Sequence, residues 1–128
     1  MREIKFRAWD KEYKVLRNVT RVNFTIGKIS LCENTGYFHY TCNIDDVILM
    51  QYTGLKDKNG KEIYIGDIVE AWSEGFKHIG EVRKRVDGLY IIYPAYHNGF
   101  WGLKPNDAGE TTVEVIGNIY ENPELLEG

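Results

Sequence analysis

The residues of this chain that could do chemistry are few, and their spacing argues against catalysis. Asp45, Asp46, Asp57, Glu62 and Asp67 are the carboxylates available for general acid–base work. That work needs two groups converging in a cleft with their pKa values driven apart. Asp57 and Asp67 instead stand in turn sequences, where an Asp side chain bonds nearby backbone amides. Asp45 and Asp46 are adjacent and point to opposite sides of an extended chain. His97 lies in a long loop with no Ser or Cys beside it. Cys32 and Cys42, taken with His39, His78 and His97, match no metal-ligand spacing and read as small buried thiols. No catalytic residue, metal or cofactor is implied.

Two other groups point to binding. Between residues 5 and 24 the basic Lys5, Arg7, Lys11, Lys14, Arg17 and Arg21 interleave with Phe6, Trp9, Tyr13 and Phe24. Basic groups meet phosphates and an outward Trp stacks on a base. Lys5, Arg7, Trp9, Lys14, Arg17 and Arg21 are therefore the candidate nucleic-acid contacts. Against this reading, the pI near 5.6 is acidic, whereas nucleic-acid-binding domains are usually basic. The second group is the Gly-flanked aromatic stretch Tyr96–Trp101. Its Tyr96, Phe100 and Trp101 are candidate anchors for a protein partner, since aromatic residues dominate interface energetics.

Charge is unevenly spread. Residues 1–30 hold eight Lys/Arg against three Asp/Glu, while from residue 105 onward there are six Asp/Glu and no Lys or Arg. Such a split reads first as a solvated surface, and otherwise as an anionic partner at one end or as ends that pair within the chain or between subunits. Between subunits it favours head-to-tail pairing. A non-enzymatic interaction module is the leading expectation. Nucleic-acid binding comes second and a small enzyme a distant third.

The elements that must position these groups read as strands. Glu3–Trp9 alternates with period two, placing Ile4, Phe6 and Ala8 on one face and Lys5, Arg7 and Trp9 on the other. Tyr13–Phe24 fits a strand through its β-branched residues, although Val15, Leu16, Val19 and Val22 also fit a helical spacing. Lys28–Cys32 and Tyr37–Cys42 flank a Gly-containing loop and predict a hairpin. Asp45-Asp46 caps a brief helical turn or opens a strand. Asn59-Gly60 supplies the two left-handed residues of a tight type I′ turn. Asp87-Gly88 predicts a two-residue hairpin pairing Val86 with Leu89 and Val82 with Tyr93. Strand also covers Thr112–Tyr120. Asn122-Pro123-Glu124 opens a last helical turn, with Asn as cap and Leu125 and Leu126 docked inward.

At 128 residues, one domain is expected. It is mainly β: N-terminal strands over about 1–55, a small closed antiparallel barrel over about 56–120, and a short tail over 121–128. Closure would remove exposed sheet edges. No apolar run reaches a membrane span, and Met1–Lys5 lacks the apolar region of a signal peptide. A cytoplasmic protein without a membrane partner is expected.

Three blocks of residues resemble the YopX family, whose members are encoded by phages and prophages. They are Arg2–Asp10, Met50–Tyr64 running on through Gly66-Asp67-Ile68-Val69, and Glu114–Leu126. One departure is Ile65, where the family places an acidic or polar residue before Gly-Asp. The resemblance implies a β-rich domain similar to Src-homology-3-type barrels, a phage or prophage origin, and action inside an infected or lysogenic bacterial host. Self-association, or binding of a phage or host protein, is the partner class it leaves open. It brings no activity and no catalytic residues.

Overall fold

Turn chemistry and period-two patterning give an almost wholly β chain. The computed structural model describes residues 5–33, 39–73, 75–93 and 101–127. The chain forms two compact units, one built from Glu3–Gln51 and the other from Tyr52 onward.

The first unit holds β1 (Phe6–Asp10), β2 (Val15–Asn23), β3 (Lys28–Cys32), β4 (His39–Asn43) and the first half of β5 (Val47–Lys56). They form an antiparallel sheet in the order β4-β3-β2-β1-β5. Ala8, Ile29, Leu31 and Val47 form its core, with Val19, Val22, Tyr40 and Cys42 packed against them. β2 reaches this packing through a bulge: Val19 pairs with Leu31, but Val22 pairs with Ile29, so Thr20 is the extra residue. A bulge lets two residues three apart share one face of a strand. The helical spacing of Val19 and Val22 is thus a bulged strand. A 3-10 turn, Ile44–Asp46, leads from β4 into β5, and Asp46 Oδ2 accepts the Asn43 amide at 3.3 Å.

In the second unit the remainder of β5 pairs with β6 (Glu62–Tyr64). A five-stranded antiparallel sheet follows. Its strands are β7 (Asp67–Ser73), β8 (Phe76–Lys84), β9 (Tyr90–Tyr93), β10 (Trp101–Gly102) and β11 (Glu114–Asn118), in the order β10-β9-β8-β7-β11. Ile63, Val69, Val82, Ile92, Leu103 and Val113 are buried at its core. The expected barrel is not closed: among the described residues no pairing joins β10 to β11. β10 is only two residues long, too short to carry a ladder round. Residues 109–113, which lead into β11, instead bond to Lys56 and Lys58.

One five-residue turn is built three times. At 57–61, 85–89 and 106–110 the first amide donates to the fifth carbonyl and the fourth amide to the first carbonyl, at 2.7–3.0 Å. The fourth residue is Gly60, Gly88 or Gly109, each with φ between +79 and +90. Asn59 does not share the left-handed conformation, so the turn is a type I turn with a Gly bulge rather than type I′. At 85–89 this moves the register by one residue. Val82 pairs with Ile92 and Lys84 with Tyr90, leaving Val86 and Leu89 exposed. A one-residue slip exchanges the faces, which is why Ile92 is buried and Tyr93 is not.

The C-terminal 3-10 turn, Pro123–Leu126, packs on β8 with Leu125 and Leu126 half-buried. The Asn122 side chain does not cap it. Its Oδ1 instead accepts the Asn118 amide at 3.3 Å.

Candidate functional site

In the second unit, alternation along β7 puts Val69 and Ala71 inward and leaves Trp72 opposite Lys77, 64% exposed. The Trp72 indole N–H donates to Glu70 Oε1 at 3.3 Å. Trp101 pairs with Ile92 and meets the His78 ring edge-on, with centroids 4.4 Å apart. Between them opens a cleft of about 460 Å³. Trp72, Trp101, Lys104 and Thr112 line it together with the core residues Ala71, Ile92, Leu103 and Val113. The groove opens directly onto the hydrophobic core. Of the three expected loop anchors, Trp101 lines it, and Tyr96 and Phe100 lie outside the described residues. Trp72 was not singled out by its sequence. Its signal is the last outward position of β7 before the Ser73-Glu74-Gly75 break, which alternation alone reads as an ordinary surface residue.

The six candidate nucleic-acid contacts do not share a face. Trp9 is 9% exposed, opposite Leu16 and Ile48, so it offers no ring for stacking. Its burial corrects the expected outward orientation. Arg17 stands opposite Ala8 on the core face of the sheet, whereas Arg7 follows the alternate face. Lys5 precedes β1, and Lys14 sits in the β1–β2 turn with φ 58. Arg21 is exposed on β2, opposite Ser30.

Arg17 belongs to a cluster at the open end of that core. Asp10 is 5% exposed, and its Oδ1 accepts the amides of Glu12 and Tyr13 at 3.0 and 3.1 Å. The Tyr40 hydroxyl donates to Asp10 Oδ2 at 2.7 Å, and Arg17 Nε lies 3.6 Å from the same oxygen. The Arg17 guanidinium sits 5.8 Å from the Tyr13 ring and 5.7 Å from the Tyr40 ring, within cation–π range. Asp10, Tyr13 and Tyr40 line a cleft of about 410 Å³ with Cys42, Asp45 and Asp46.

The electrostatics move Asp10, Tyr40 and Cys42 further from titration at neutral pH. Burial pushes the Asp10 carboxyl up, but hydrogen bonds from Tyr13, Tyr40 and Glu12 and the charge of Arg17 outweigh it and hold it below its usual range. Burial, then the hydrogen bond to Asp10 and its charge, push the Tyr40 phenol up to about 12. Burial and the charges of Asp46 and Asp10 raise the Cys42 thiol. A general base or nucleophile works best with a pKa near the operating pH. This cluster has a bound carboxylate, a protonated phenol and a protonated thiol. Of the carboxylates considered for acid–base work, the buried Asp57 and Asp67 hold turns through backbone amides. Among the described residues no three His, Cys, Asp or Glu side chains converge as a metal-ligand set. His97 lies outside the described residues.

The geometry defines an all-β protein of two antiparallel sheets whose buried acids brace the backbone and whose exposed Trp72 borders a core-floored groove. The chain belongs to the YopX family: the family described as YopX protein matches residues 5–127. Among solved structures it is similar to protein EF1440 from Enterococcus faecalis, at 26% identity and a TM-score of 0.60, over 99% of this chain and 100% of that one. No curated protein matches the chain significantly.

Proposed function

We propose that this chain is a non-enzymatic interaction module of phage or prophage origin, acting in the cytoplasm of its bacterial host. It docks a phage or host protein, or a second copy of itself, in the Trp72–Trp101 groove. One observation carries this reading: a Trp that is 64% exposed borders a cleft of about 460 Å³ floored by core side chains. Trp is the residue most enriched among interface hot spots, and hot spots pair with well-packed, desolvated pockets. A partner side chain entering the groove would bury itself on Ala71, Leu103 and Val113 with Trp72 closing over it. The N-terminal basic face loses support as a nucleic-acid surface, because Trp9 and Arg17 turn inward.

Light scattering on the purified chain, and capture of proteins from infected or lysogenic host cells, test the reading with wild type and Trp72→Ala side by side. The expected result is a discrete oligomer or a captured protein that Trp72→Ala weakens at least about tenfold. A folded Trp72→Ala protein that assembles and captures as wild type does overturns it.

A further inference from the structure

The β2–β3 hairpin sets two polar rungs side by side on the sheet of the first unit. One is Arg21–Ser30–Thr41 and the other Asn23–Lys28–Asn43, and the intervening rung Val22–Ile29–Cys42 packs with the core. The Ser30 and Thr41 hydroxyls are 3.1 Å apart, and Lys28 Nζ donates to Asn43 Oδ1 at 2.6 Å. Arg21, Asn23, Ile26, Lys28, Ser30 and Thr41 line a cleft of about 260 Å³ with no carboxylate in its wall. At the hairpin tip Phe24 is 69% exposed and Ile26 65%. Asn23 Oδ1 holds that tip by accepting the amides of Thr25 and Ile26 at 3.1 and 3.4 Å.

We propose that this hairpin face binds single-stranded nucleic acid, with Arg21 and Lys28 on neighbouring phosphates and a base stacked on Phe24. Arg21 and Lys28 are diagonal neighbours across β2 and β3, about 7–8 Å apart. Their long side chains can adjust that distance to successive phosphates of one strand. Asn23, Ser30 and Thr41 supply uncharged donors for phosphate and sugar oxygens. A protruding aromatic ring serves unstacked bases, which only a single strand presents. The acidic pI of the chain does not oppose the site. Residues 3–51 hold seven Lys/Arg and six Asp/Glu, and four of those acids (Asp10, Glu12, Asp45 and Asp46) line the separate Tyr40 cleft. The hairpin site is independent of the Trp72 groove, and either can exist without the other.

Fluorescence anisotropy with a short labelled oligothymidylate, across a salt series, tests it. The proteins are wild type, Arg21→Ala/Lys28→Ala, Phe24→Ala and, as control, Val86→Ala at an exposed position outside both sites, each confirmed folded by circular dichroism. All four positions are exposed, so the substitutions leave the core intact. Wild type should bind with a steep salt dependence. The double variant should bind at least tenfold more weakly, with a log–log salt slope shallower by about 1.4, two phosphates' worth. Phe24→Ala should weaken binding about five- to hundredfold, and Val86→Ala should leave it unchanged. Wild type that ignores the oligonucleotide overturns the proposal. So does a double variant that binds as wild type does, or binding to phosphatidylserine vesicles in place of the oligonucleotide.

Discussion

Asp57 and Val115 lie 58 positions apart in the chain, and Asp57 Oδ2 accepts the Val115 amide hydrogen bond at 3.0 Å. The other carboxylate oxygen takes the amides of Asn59 and Lys61, each at 2.9 Å. One side chain, 2% exposed, therefore shapes the β5–β6 turn and fastens the start of β11 to it. Hydrogen bonds to a buried charged group contribute about 1.5–3 kcal/mol, and donors left unsatisfied in the interior cost a similar amount. Asp57→Ala should destabilise the protein by about 3 kcal/mol or more in urea unfolding. Asp57→Asn, which keeps one acceptor oxygen, should lose less. A loss below about 1 kcal/mol for Asp57→Ala would show that solvent reaches these amides.

The same carboxylate makes stability depend on pH. Burial pushes Asp57 up, but the amides of Val115, Lys61 and Asn59 and the charge of Lys61 bring it below its unfolded value of 3.8. Asp10 is lowered in the same direction. A group lowered in the folded state stabilises above its unfolded pKa, and that stabilisation is lost as pH falls through the folded value. Urea midpoints should be level with respect to these two groups above about pH 5 and decline as pH falls below 3.8. Asp57→Asn and Asp10→Asn should each flatten that acid limb. An equally steep limb in both variants would assign the acid loss to other carboxylates.

Lys14 is the one non-glycine with a left-handed backbone among the described residues, at φ 58. That conformation costs an L-residue about 1–2 kcal/mol, while glycine's extra unfolded-state freedom costs about 0.4–1 kcal/mol. Lys14→Gly should therefore leave stability unchanged or raise it by up to about 1 kcal/mol. A clear loss in thermal or urea unfolding would mean that the Lys14 side chain contributes beyond its backbone position.

Local patterning made most of the strands legible, because period two and Gly-containing turns act within a few residues. What it could not supply was geometry set by pairing. Val19 and Val22 share a face only through the bulge at Thr20, and no local pattern distinguishes that from a helical stripe. The Asp87-Gly88 hairpin is recognisable, but its register turns on whether one or two residues are left-handed, and with Gly88 alone at positive φ every pair below it shifts. Trp9 alternates outward from Ala8 and is buried all the same, since a central strand can be covered on both faces. The Asp10–Tyr40 hydrogen bond joins β1 to β4 across 30 positions, and neither residue's neighbours announce it. Arg21 was legible as a basic surface residue. Its grouping with Lys28, Ser30 and Thr41 follows only from strand register.

The repeated five-residue turn allows a last prediction, because one of its three copies differs from the others in what surrounds the left-handed glycine. At Gly88, with φ +90, a Cβ would meet nothing within 4 Å. Gly88→Ala should cost only the backbone strain of about 1–2 kcal/mol. At Gly109, with φ +79, the same Cβ would lie 3.3 Å from the Gly54 carbonyl oxygen. The Gly109 carbonyl also accepts the Lys56 amide at 2.8 Å, so backing away from Gly54 would strain the tie between residues 56 and 109. Gly109→Ala should then cost about 1 kcal/mol more than Gly88→Ala, and hydrogen exchange at the Lys56 and Thr111 amides should speed up in that variant alone. Equal losses in the two variants, with those amides equally protected, would show that the Gly54 carbonyl yields and that only φ matters at this turn.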